Sequence, residues 1–219
     1  MRKKLKLLVA GVSVLLGILG VAFFIQNFGN TTSQGKIRVA CVGDSITAGF
    51  EYPNDLGALL GDRYLVGNFG AGGVTVALDA PTPYMKQPAF QEAKEFQPNM
   101  VVIMLGTNDA HPEIQQYNGT FVADYLALVD KFSALSTNPK IWIVKPPQIF
   151  HNGTGLSTEF FDANVMPKIG QVAAQANLPL IDVYSLSLNH ESYFFDGVHP
   201  DGDGCKLIAQ QVFAAMTQK

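Results

Sequence analysis

Met100-Val101-Val102-Ile103-Met104-Leu105 is an unbroken apolar run in the middle of the chain. A strand with one wet face alternates polar and apolar residues. A run without alternation describes a strand buried on both faces, as in a parallel sheet covered by helices on each side. From Lys36 onward, short apolar strands alternate with amphipathic helices, the pattern of βα units. Strands are expected over 37–42, 64–66, 100–105, 141–144 and 180–183, with the second ending near Asn68. Helices are expected over Tyr52–Leu60, 92–96, 121–135, 160–176 and 206–216. Pro98 stops the second helix, Thr120 is placed to cap the third, and Pro167 should kink or split the fourth. The predicted fold is α/β, a three-layer α/β/α sandwich over residues 36–219. A chain of 219 residues has room for one such domain with a full core.

Ahead of that domain, Arg2, Lys3, Lys4 and Lys6 precede an apolar stretch over 7–25 interrupted only by Ser13. That length just spans a hydrocarbon core of roughly 30 Å, and the basic flank predicts a cytoplasmic amino terminus with everything after Gln26 exported. Residues 1–26 therefore read as a signal anchor or a cleaved secretory signal. Phe23-Phe24, directly after the weak cleavage candidate Gly20-Val21-Ala22, fits the anchor better. Residues 27–35, rich in Asn, Thr, Ser and Gly, read as a linker. The expected location is outside the cytoplasm, either anchored in the membrane or secreted.

Apart from the four basic residues at the amino end, 11 Lys and Arg face 18 Asp and Glu, so no basic stripe remains to hold nucleic acid. Two cysteines make neither a disulfide framework nor a zinc site. Cys41 lies in the first expected strand and reads as a buried thiol, with a bridge to Cys205 as the open alternative.

Polar groups gather where the strands end. The first strand runs into Gly43-Asp44-Ser45, the second into Asn68-Phe69-Gly70-Ala71-Gly72-Gly73, and the third into Gly106-Thr107-Asn108-Asp109. In an open parallel sheet these carboxyl ends face the ligand crevice. Near the carboxyl terminus, Asp196-Gly197-Val198-His199 sets a carboxylate three residues from an imidazole. That spacing suits a carboxylate that orients His199 to take the proton of Ser45. Glycines let a backbone N–H approach a ligand, and the Asn108 amide is another donor toward a developing oxyanion.

Taken together, these stretches resemble the SGNH/GDSL hydrolase family. Gly43-Asp44-Ser45, Asn68-x-Gly70, Gly106-x-Asn108-Asp109 and Asp196-x-x-His199-Pro200 match its four blocks in order, over roughly residues 36–216. The resemblance implies a flavodoxin-like five-stranded parallel sheet, with Ser45 as nucleophile, His199 as base and Asp196 as its partner. It implies an oxyanion hole made by the Ser45 and Gly70 N–H groups and the Asn108 side chain. It implies neither metal nor cofactor.

Within the family the chain looks most like the carbohydrate O-acetylesterases of the sialate and acetylxylan type. Gly72 stands where that branch often has serine, and Asp201 where asparagine is common. The expected substrate is a small-molecule or glycan ester. Two alternatives stay open: a lysophospholipase or thioesterase with the same machinery, and a surface-anchored glycan-binding module without turnover.

Other polar residues have plainer readings. Asp44 and Asp109 are expected to bond backbone around their loops. Asp201-Gly202-Asp203-Gly204 reads as a turn and helix cap, since the later ligands of a calcium loop are missing. The glycines at 70–73 lack the third glycine of a dinucleotide fingerprint, which would fall at Thr75. His111, His151 and His190 show no metal-ligand spacing.

Overall fold

The computed structural model describes residues 35–151 and 153–218. The expected anchor and nearly all of the expected linker lie outside the described residues. Among the described residues, no helix is long and apolar enough to cross a membrane.

Five strands, β1 (Ile37–Gly43), β2 (Tyr64–Gly70), β3 (Met100–Met104), β4 (Lys140–Lys145) and β5 (Leu180–Asp182), pair in parallel in the order β2-β1-β3-β4-β5. The helices are α1 (Ser45–Ala48), α2 (Tyr52–Leu60), α3 (Pro88–Glu95), α4 (Phe121–Ser133), α5 (Met166–Ala176), α6 (Val183–Ser187) and α7 (Gly202–Thr217).

Alternate residues of each central strand serve two separate cores. Ala40, Val42, Val101 and Ile103 face α3, α4 and α5 through Phe90, Phe132 and Ile169. Val39, Cys41, Val102 and Met104 face α2 and α7 through Leu56, Ile208 and Val212. This two-sided burial explains why β3 carries no polar residue, and it makes the three-layer sandwich. Each fully buried side chain of this size contributes about 1.5–3 kcal/mol. Cys41 and Cys205 are both buried and unbridged. Burial pushes the Cys41 thiol up to about 12, which keeps it protonated.

The chain leaves β1 for β2 at one edge, then crosses back over β1 to form β3. That reversal sets the switch point beyond the carboxyl ends of β1 and β3, the place where doubly wound sheets bind their ligands.

Several boundaries differ from the expectation. β2 continues to Gly70, because Gly67 and Asn68 pair with Ala40 and Cys41. Gly67 is needed there, since a Cβ would fall 2.6 Å from the Phe69 ring. Helix α3 starts at Pro88, with proline in its first turn, where the missing N–H costs nothing. β5 ends at Asp182, whose carboxylate accepts from Ser185 N–H (2.8 Å) and caps the unforeseen α6. Around Pro167 the helix does split. A wide π-turn, Phe161–Val165, precedes Met166, so the proline enters in the first turn of α5. Asp201 caps α7 by accepting from Asp203 and Gly204 N–H (2.9 and 3.0 Å), which starts that helix four residues ahead of the expected one.

Candidate active site

The turn after β1 is built to be tight. A Cβ on Gly43 would meet Thr47 Oγ1 at 2.0 Å and the Met104 carbonyl at 2.8 Å, so only glycine lets the strand end there. Asp44 is fully buried and accepts from Ile46 N–H (3.0 Å), capping α1. Burial pushes its carboxyl up to about 6, against the opposing pull of that hydrogen bond. Ser45 follows as the first residue of α1, and its N–H makes no hydrogen bond among the described residues.

His199 comes to Ser45 from 154 residues away, with Nε2 at 2.9 Å from Oγ. On the other side of the ring, Nδ1 lies 2.7 Å from Asp196 Oδ2. The second oxygen of Asp196 accepts from Val198 and His199 N–H (3.0 and 2.7 Å), so the carboxylate is fixed by its own turn. Gly197, at φ +82°, makes that turn possible. Burial alone would raise the Asp196 carboxyl, but the His199 ring and these two N–H groups outweigh it and hold it below the usual range. An ionised carboxylate bound to Nδ1–H leaves Nε2 as the acceptor, which is the tautomer that can take a serine proton.

Two more loops clamp the same turn. Asn68 donates to the Thr47 carbonyl (2.7 Å) and accepts from Gly70 N–H (3.0 Å). Gly70 packs directly on α1, since a Cβ there would sit 2.2 Å from Ala48 N. Its N–H is thus occupied by Asn68, a point against the expectation that it faces an oxyanion. Gly73, at φ +71°, makes no N–H hydrogen bond among the described residues.

Asn108 sits on the turn after β3 and donates one amide hydrogen to the Val74 carbonyl (2.9 Å), leaving its second donor for another partner. Asp109 is buried and accepts from Val76 and Ala77 N–H (2.9 and 3.2 Å), tying this turn to the glycine loop as expected. Its carboxyl is pushed up to about 7 by burial.

The structure therefore joins Ser45, His199 and Asp196 by direct hydrogen bonds. Gly70 lies against the Ser45 helix, and Asn108 is linked to the glycine loop without a direct bond to the three. Sequence reasoning missed two rings. Phe50 stacks on the His199 ring (5.2 Å between centroids, 20°), and Phe195 lies 6.2 Å from it at 24°. The available signal was the aromatic run Tyr193-Phe194-Phe195 immediately before Asp196. Two of the remaining histidines take local roles: His111 Nδ1 accepts from Glu113 N–H (3.3 Å), and His190 stacks on Tyr193.

The sequence is 33% identical over 88% of the chain to an acetylxylan esterase of Xylanibacter ruminicola, and the chain spans about half, 47%, of that relative's length. The fold is similar to a catalytic mutant of an acetylxylan esterase from Geobacillus stearothermophilus, with a TM-score of 0.68 and 20% identity over 84% of this chain and 96% of that one. It is also similar to a carbohydrate acetylesterase from Sinorhizobium meliloti, with a TM-score of 0.57 and 20% identity over 83% of this chain and 98% of that one. Residues 41–207 match the GDSL-like lipase/acylhydrolase family from within β1 to within α7, a span holding every loop of the site, and the chain belongs to that family.

Proposed function

We propose that the protein is a serine esterase that removes short acyl groups, acetyl above all, from carbohydrate hydroxyls. The observation that carries this reading is the hydrogen-bonded sequence Ser45 Oγ, His199 Nε2 and Nδ1, Asp196 Oδ2. Ser45 attacks the ester carbonyl as its proton passes to Nε2. Asp196 stabilises the imidazolium so formed. The tetrahedral adduct then expels the alkoxide, which takes the proton from Nε2. Water, deprotonated by His199, releases the acid from the acyl-enzyme and restores the serine.

The oxyanion is assigned the open Ser45 N–H and the second amide hydrogen of Asn108. For a third donor, the open N–H of Gly73, next to the Val74 peptide held by Asn108, suits the task better than Gly70, which would first have to leave Asn68. Removal of one such donor costs about 10²–10³ in rate. The names of the relatives support acetylated sugars as substrates. The basic and apolar amino-terminal residues support a site of action outside the cytoplasm.

The test is acetate release from acetylated xylan by the wild type and by Ser45→Ala, alongside nitrophenyl esters from acetate to palmitate. The reading expects turnover that falls with chain length and vanishes in the variant. Undiminished turnover in Ser45→Ala refutes the mechanism. A maximum at palmitate replaces the acetylesterase with a long-chain lipase.

A further inference from the structure

Phe195 is 67% exposed, the most exposed large apolar side chain among the described residues. Single exposed apolar residues are ordinary and need no explanation. This one is part of a group. Its ring centroid lies 6.0 Å from Phe50 and 6.2 Å from His199, while Phe50 and His199 are 5.2 Å apart. The three rings thus form a near-equilateral triangle. Had the phenyls sandwiched the imidazole, they would stand about twice as far from each other as the offset-stacking range of 4.5–7 Å. They lie instead next to each other, tilted by 43°, with Phe50 stacked on the imidazole and Phe195 the exposed member of the group.

The same turn that aims the imidazole also fixes the Phe195 backbone. Phe195 N–H donates to the His199 carbonyl (3.1 Å). The preceding Phe194 is buried and bridges to Pro200.

We infer that Phe195, with Phe50 beside it, is the platform for the alcohol half of the ester, and that this alcohol is a saturated sugar ring laid face-on. The inference rests on the esterase reading of the site and names the side chain that holds its sugar. In that reaction, Nε2 must come within hydrogen-bond reach of the leaving oxygen. The alcohol therefore leaves on the imidazole side, where the two phenyls are, while the carbonyl oxygen points to the amide donors. A long alkyl chain needs an enclosing groove, and an aromatic surface this exposed encloses nothing. A pyranose with equatorial hydroxyls presents axial C–H bonds on its faces. These meet the electron-rich face of an aromatic ring favourably, so a flat platform suffices.

The experiment compares wild type, Phe195→Ala and Phe195→Trp on acetylated methyl β-xylopyranoside and on ethyl acetate. Because the side chain is exposed, both variants keep the fold, checked by thermal melts. The expected result is a fall of about tenfold in the xyloside-to-ethyl acetate ratio of kcat/KM for Phe195→Ala, carried by KM, with recovery in Phe195→Trp. An unchanged ratio overturns the inference, including the case in which both esters slow equally because His199 has moved.

A second readout needs no turnover: saturation-transfer NMR of methyl β-xylopyranoside on the full chain, with contact at the C–H protons expected for wild type and lost in Phe195→Ala. Phe195-dependent sugar contact without acetate release from either ester sustains the platform and defeats the esterase reading. Acetate release without Phe195-dependent contact does the reverse.

Discussion

Gly70→Ala tests what the end of β2 contributes to the site. The added methyl would lie 2.2 Å from Ala48 N, 2.7 Å from its Cα and 2.8 Å from the Asp44 carbonyl. Carbon contacts are comfortable at about 3.5–4.0 Å, so a separation of more than 1 Å must open between β2 and the turn that carries Ser45. All three obstructing atoms are backbone, and no side-chain rotation relieves them. Overpacking of this kind costs about 1–3 kcal/mol, and a displacement of about 1 Å at a reacting group costs on the order of 10² in rate. Urea denaturation and kcat/KM on p-nitrophenyl acetate measure the two effects. The variant keeps the Gly70 N–H, so a role confined to donating that hydrogen predicts little change. Gly72→Ala is the control, because a Cβ there meets nothing within 4 Å. Stability within about 0.5 kcal/mol of wild type and unchanged turnover in Gly70→Ala would refute the steric argument.

Asp196→Asn should lower kcat by about 10⁴ with little change in fold. The asparagine oxygen can still accept from Val198 and His199 N–H, but its NH₂ would face Nδ1 and favour the tautomer that cannot take the Ser45 proton. A kcat within tenfold of wild type would contradict this. Asp109→Asn should change how stability depends on pH. The unfolded chain ionises this carboxyl near its ordinary value of 3.8, whereas the folded protein holds the proton to about 7. Between these values the folded state binds more protons, so stability falls as pH rises, and Asp44 adds a smaller fall up to about 6. Removing Asp109 should flatten the decline by about 1.4 kcal/mol per pH unit, read from urea melts at several pH values across that window. Equal slopes in variant and wild type would exclude the assigned titration.

The legible parts of the molecule were those where one residue type has one physical use. A six-residue apolar run without alternation, too short for a helix and closed by Gly106, suits a strand covered on both sides, and β3 is that. The placement of Ser45, and of Asp196 beside His199, was readable because the Gly-Asp-Ser turn and the Asp-x-x-His turn are local structures whose spacing dictates their shape. What was not legible depended on pairing and packing that no local pattern encodes. β2 runs past the expected end near Asn68 to Gly70, because glycine and Asn68 have weak strand propensity and pairing with β1 overrides it. That Gly70 N–H is held by Asn68 two residues away, which weighs against its expected role as an oxyanion donor, is a local contact that the motif does not reveal. The run Tyr193-Phe194-Phe195 marks rings beside Asp196, but the meeting of Phe50, Phe195 and His199 depends on how the segment after α1 and the last loop pack. Helix α6 escaped because its apolar start reads equally well as the end of a strand.

The central claim is that the Ser45 hydroxyl, activated by His199, is the nucleophile. The direct measurement is to treat the full chain with diethyl p-nitrophenyl phosphate and map the modified residue by mass spectrometry. The account predicts one diethylphosphoryl group, on Ser45, with loss of esterase activity in proportion to labelling and no label in His199→Ala. Esterase activity that survives complete labelling of Ser45, or inactivation with the label on another residue, would contradict it.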